Sequence, residues 1–233
     1  MRARDVLILA VLASAACGPG SPLSSGPACP RNPEFDQTAP AVVVSSGAAT
    51  VLRHDVSLEG LAHLPGAEAL GPGGKLQGLT VVHHQLSYKT GIALTHPLFG
   101  GPRCAWVDKL TVDMTPEKME IYIPSDYPEG SCEYDQILSH ERQHEETHRD
   151  ALRTAVDEMR LALAQATGLP ARGTPIQVAD RPEAERRIEE IVDKAAKPVY
   201  ARFKDELKRR QAVIDLPENY LWTQNRCRDW KQP

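Results

Sequence analysis

The chain has 233 residues, 41% of them hydrophobic, and a formal net charge of -4. That apolar share lies above the intrinsically disordered class and suffices for one folded core. The acidic balance offers no basic field, so nucleic acid is excluded as an expected partner.

At the amino terminus Met1-Arg2-Ala3-Arg4 precedes an apolar run from Val6 to Ala16. The run is too short to cross a bilayer as a helix. Residues 1–16 have the layout of a secretory signal, with small residues Ser14-Ala15-Ala16 before Cys17. The segment resembles a bacterial lipoprotein signal. That resemblance implies an acylated Cys17 and a membrane anchor facing the periplasm or the exterior. Residues 17–39, rich in Gly, Pro and Ser at their start, read as a tether, and 40–233 as the folded domain. Of the five Cys, four remain once Cys17 is set aside. In an exported chain Cys29, Cys104, Cys132 and Cys227 predict two disulfides. Three pairings are open; the preferred one joins Cys104 to Cys132 across a hairpin and Cys29 to Cys227 across the chain ends. No C-x-x-C spacing exists, so these Cys do not predict a zinc site.

Residues 40–125 read as β-rich. Ala41–Ser45 is a short apolar run, and Leu79 to Ala93 mixes β-branched and aromatic residues with polar ones. Trp106–Met114 and Met119–Ile123 alternate on either side of Thr115-Pro116-Glu117-Lys118, which predicts a hairpin. The period then changes. Ser131 is a candidate N-cap, and Ile137, Glu141, His144, His148, Leu152, Ala155 and Met159 form one stripe of a long helix that Gly168 and Pro170 stop. Asp180-Arg181-Pro182-Glu183 predicts a capping box opening a second helix. Its stripe is Ile188, Val192, Ala195, Val199, Phe203 and Glu206, and Pro198 is expected to kink or split it. The two helices are expected to form an antiparallel pair. The tail with Trp222, Cys227 and Trp230 is expected to pack back on the body.

His140-Glu141-Arg142-Gln143-His144 is H-E-x-x-H. On a helix, residues i and i+4 share a face, so both imidazoles can bind one Zn2+ while Glu141 takes a proton from water. The motif falls on the inward stripe, where two His and a Glu would be costly without a purpose. A third ligand is required. His148 lies about 12 Å along the axis from His140 and cannot share a metal with it. The metzincin pattern needs a Gly at position 147 to turn the chain; Thr147 stands there instead, so resemblance to that pattern does not bring Asp150 back. Folding the helix pair back points instead to Glu206, with Asp215 and Glu218 as competitors. Tyr220 can donate to an oxyanion. Of His83 and His84, at most one faces the core.

Cys104 before an alternating strand, the H-E-x-x-H helix, and Gln211-Ala212-Val213-Ile214-Asp215 resemble the bacterial predicted secreted zinc-dependent proteases (domain of unknown function 922) over about residues 80–220. Where that family's tail continues to a Thr and a His-Gly, this chain has Glu218 and Tyr220-Leu221. The expectation is an α+β, zincin-like domain: a small antiparallel sheet on a long active-site helix and a second, Pro-kinked helix. The expected activity is zinc-dependent endopeptidase chemistry in the cell envelope, with a peptide or protein substrate added to an edge strand of the hairpin. The alternative is a non-catalytic envelope lipoprotein acting as a binding or structural module.

Overall fold

The computed structural model describes Cys29 and residues 41–67, 76–95 and 103–230. The signal segment 1–16, Cys17 and the tether apart from Cys29 lie outside the described residues. In chain order the elements are β1 (Ala41–Ser45), β2 (Thr50–Arg53), α1 (Leu58–Leu61), β3 (Leu79–His83), β4 (Ser87–Leu94), β5 (Arg103–Asp113), β6 (Lys118–Tyr122), α2 (Cys132–Ala164), β7 (Ile176–Val178), α3 (Arg181–Ile214) and α4 (Pro217–Gln224). The fold is α+β. No helix among the described residues is long and apolar enough to cross a membrane.

The strands form two small sheets, β1-β5-β4 with β7 also on β5, and β2-β6-β3. They are mixed, not antiparallel: β1 runs parallel to β5, and β2 parallel to β6. The predicted hairpin is absent. Instead of folding back on β5, β6 enters the second sheet, and β1 leads into β2 and β3 into β4 in the same manner. The result is three long strands that bend together at residues 46–49, 84–86 and 114–117. Pro116 explains the bend, because it has no N–H for a ladder. On either side of it the ladder resumes: the Met114 N–H donates to Ser45 O and the Glu117 N–H to His83 O.

The helix starts follow their caps. Ser131 Oγ accepts from the Tyr134 N–H, with Glu133 and Asp135 in the first turn of α2. Asp180 accepts from the Glu183 N–H while Glu183 accepts from the Ala179 N–H, so the box closes one residue further out than expected. All seven residues of the predicted α2 stripe are buried. Gly168, at φ +86°, turns the chain after α2 in a conformation that suits Gly. Along α3 the buried positions are Ala184, Ile188, Val192, Ala196, Val199, Phe203 and Leu207. Pro198 does not split α3, which is helical from Arg181 to Ile214. Ala196 and Val199 on either side of it are buried in the core, so packing outweighs the ring's local cost.

The helices are antiparallel: Glu158 of α2 pairs with Arg202 of α3, and His144 with Gln211. They enclose a core with β1 and β5 built on Leu110, Val112, Met159, Leu163, Ile188 and Val192. The disulfides correct the preferred pairing. They are Cys29–Cys104 and Cys132–Cys227, with Cα separations of 5.7 and 5.8 Å. Without a β5–β6 hairpin, Cys104 at the start of the first sheet and Cys132 after the second are not brought together. The second bridge ties the start of α2 to the chain just after α4, and Trp230 then packs near Tyr127, with ring centroids 6.1 Å apart.

Candidate metal centre

The third and fourth turns of α2 carry the motif inward. Glu141 is 4% exposed, and His140 and His144 are buried beside it. Two strands grip the helix on its flanks. On β3, the Thr80 hydroxyl lies 2.7 Å from Glu141 Oε2 and donates to it. On β2, the Thr50 hydroxyl donates to Glu145 at 2.5 Å, and Arg149 donates to Ala48 O in the bend before it. Gly78 lets β3 approach. A Cβ there would sit 2.6 Å from Ile137 Cγ2 and 2.7 Å from Glu141 Oε1.

The third carboxylate comes from the end of α3. Asp215 is its C-cap residue, and Pro217 starts α4 two positions later. The Asn219 amide donates to the free carbonyls of Val213 and Ile214 and so fixes the corner. Tyr220 of α4 donates to Asp215 Oδ1 at 2.9 Å, and its ring lies 5.0 Å from that of His140.

His140 Nε2, His144 Nε2 and Asp215 Oδ1 then form a triangle with edges of 3.2, 3.1 and 3.5 Å. Ligands at about 2.0–2.1 Å on a tetrahedral zinc stand about 3.3 Å apart. The donor set matches one face of that tetrahedron. Electrostatics points the same way. Gln211 clamps His144 from α3: its Oε1 accepts from His144 Nδ1, and its amide donates to the His144 carbonyl. With the proton on Nδ1, Nε2 presents a lone pair toward a second imidazole nitrogen and a carboxylate oxygen. Three such donors converge only around a cation or a proton.

The ionisation states reflect this crowding. Burial pushes the Glu141 carboxyl above its usual value, opposed by the two imidazoles and by Thr80. Burial would raise Asp215 as well, but hydrogen bonds from His140 and His144 outweigh it and hold the carboxylate well below its ordinary range. For His144, burial favours the neutral ring, yet the Asp215 hydrogen bond and Glu141 together raise it. Burial and Asp215 keep the Tyr220 phenol protonated.

Of the sequence candidates, the structure brings together His140, Glu141, His144 and Asp215. Glu206 is not among them. After Phe203 the inward position on α3 is Leu207, and Glu206 turns aside into ion pairs with Arg209 and Arg210. The loop after α2 explains the shift. It includes β7, so α3 is displaced along α2 and His144 faces Gln211 rather than residues near 202. Glu218 is exposed and outside the triangle. His148 sits one turn beyond His144 and is not in it either. Thr80 and Gly78 were not predicted, since no spacing links them to the motif.

His144, Asp215 and Glu141 line a cleft of about 410 Å³ that runs along β3 and its flanks from Gly78 to His84, while His140 closes the triangle from outside that lining. Compared with family models, curated proteins and solved structures, the chain finds no match in any of the three.

Proposed function

We propose that this protein is a zinc-dependent endopeptidase of zincin-like architecture that works in the bacterial cell envelope. The observation that carries this reading is the triangle of His140, His144 and Asp215 with the buried Glu141 beside it. Zinc held by that triangle would supply a Lewis acid for the scissile carbonyl and for the attacking water. Glu141 accepts the proton of that water, and its raised basicity suits a proton that must next pass to the leaving amine. Thr80 keeps the carboxylate turned to the cleft. Tyr220 gives its one O–H to Asp215 and so keeps that carboxylate in place, which commits the donor expected for an oxyanion.

The substrate class follows from the cleft wall. Among the described residues β3 pairs only with β6, so its other edge is open along the cleft. An extended peptide can add there through main-chain hydrogen bonds. The hairpin first expected to offer that edge does not form; β3 supplies it instead. Two disulfides fit an oxidising compartment, in line with the signal layout at residues 1–16 and acylation at Cys17.

The test is metal analysis followed by peptide hydrolysis. One zinc per chain is expected, lost in Asp215→Ala. Glu141→Gln should keep the zinc and lose at least about a hundredfold in kcat. A protein that takes up no zinc at neutral pH would instead favour the non-catalytic envelope module.

A further inference from the structure

One turn of α2 beyond His144, the cleft ends at a second pair of imidazoles. His148 is 0% exposed, and neither of its ring nitrogens has a hydrogen-bond partner among the described residues. His84, in the bend between β3 and β4, lies against it with ring centroids 4.8 Å apart. Phe203 of α3 closes the other side, edge-on to both rings at 5.3 and 6.1 Å. Both His line the same cleft as Glu141 and Asp215. A buried imidazole with two empty nitrogens is uncommon in folded proteins, because each lost hydrogen bond goes uncompensated. The cleft side is where a partner can arrive.

The surroundings select its charge. Lys204 of α3 acts on His84, and Arg149 acts on His148. The one acidic group acting on His148 is Glu145, which is already held by Thr50 and Arg149. Each neutral imidazole has one N–H to donate. Two neighbouring rings therefore offer two donors in a positive field, which matches the two oxygens of a carboxylate. A second metal is the poorer fit. Among the described residues the one group of three converging His, Cys, Asp or Glu donors is that of His140, His144 and Asp215.

We propose that His148 and His84 form a carboxylate-binding subsite of the peptide groove, selecting substrates with an acidic group one to three residues from the scissile bond. This rests on the groove being a peptide site. The carboxylate has two possible sources, an Asp or Glu side chain and a peptide's own C-terminus. Strand direction relates them to the cleft. A peptide antiparallel to β3 places its amino-terminal side over His84, and a parallel one its carboxyl-terminal side.

The experiment is binding, not turnover. Zinc-loaded Glu141→Gln protein is titrated calorimetrically with hexapeptides blocked at both ends, carrying one Glu, Gln or Leu at each position in turn, and with an uncharged hexapeptide bearing a free C-terminus. The His148 ring is followed by NMR in the same titrations. One Glu register should bind at least about tenfold more tightly than its Gln counterpart and shift the His148 ring signals. The gap should close in His84→Leu and in His148→Phe. His84 is half-exposed, so its variant serves if His148→Phe does not fold. If only the free C-terminus gains affinity, the subsite takes the terminal carboxylate. Equal binding of Glu and Gln peptides at every position, with no gain for the free C-terminus, overturns the subsite and leaves the groove standing. No binding by any peptide at millimolar concentration overturns both. A second zinc per chain that disappears in His84→Leu would show a metal site in its place.

Discussion

At the residue scale the centre depends on one side chain outside the triangle, that of Gln211, and on one that is missing. Gly78 is the missing one. A methyl group at its Cα meets Ile137 and Glu141 well inside contact distance. Glu141 has to give way, against the hydrogen bond by which Thr80 holds its other carboxylate oxygen. Gly78→Ala should therefore displace the carboxylate by a fraction of an ångström to an ångström, and misplacements of that size cost on the order of 100-fold in rate. The expected result is a loss of that order in kcat/KM with zinc content unchanged. Loss of zinc as well would mean that the whole stretch of α2 from His140 to His144 had moved. Gln211 acts differently. It fixes the His144 tautomer from a neighbouring helix. Gln211→Leu keeps the shape, removes both hydrogen bonds, and should weaken zinc binding about 10–100-fold in competition with a chromophoric chelator.

At the element scale, what the sequence made legible was local. The N-cap at Ser131, the α2 stripe and the box at Asp180 depend on residues within four positions of one another, and all three are present. The motif's helical face belongs to the same class, so His140, Glu141 and His144 could be assigned from spacing alone. What required the third dimension was less legible. Thr115-Pro116 breaks a ladder as well as it reverses a chain, and only the neighbouring strands decide between the two. The register of α3 on α2 depends on a loop that passes through the sheet as β7, which sequence periodicity does not encode. Periodicity alone brings Glu206 inward, whereas the observed register places Leu207 there and Asp215 at the centre. The disulfides failed with the hairpin on which their pairing was argued. Cys132–Cys227, whose ends are 95 positions apart in the sequence, holds the chain just after α4 against the start of α2. Replacing both Cys by Ser should lower the unfolding free energy by about 2–5 kcal/mol. It should also weaken zinc binding, because α4 carries the Tyr220 and Asn219 contacts to the Asp215 corner. The Cys29/Cys104 double variant, whose lost bridge ends on β5 and not near α4, should lose stability with zinc affinity retained. Calorimetric melts with and without chelator separate the two effects.

At the scale of the whole molecule, pH, metal and folding are linked through the imidazoles of one cleft, and they pull in opposite directions. His148 is held neutral by burial, with His84 and Arg149 adding to it, and its value falls to about 4. The folded state binds its proton less well than the unfolded chain does. The stability it contributes is complete above about pH 6.5 and is lost as the pH falls from there toward 4. His144 has the opposite sign. Its raised value means that the folded, metal-free protein gains stability from its protonation below about pH 6.5 and loses that gain as the pH rises through the raised value. In the proposed zinc-bound form the position of His144 is reversed, since a metal competes with that proton. Zinc affinity should fall about tenfold per pH unit once the pH drops below the raised His144 value, and the chelator-induced drop in Tm should shrink over the same range. The two imidazoles can be resolved by substitution. In zinc-free urea unfolding, His148→Phe should gain up to about 3 kcal/mol on the parent protein as the pH is taken from 6.5 to 4. Its metal-free baseline above pH 7 should still show the decline set by His144. Parallel stability curves for the parent and His148→Phe would show that His148 is not held neutral in the folded protein.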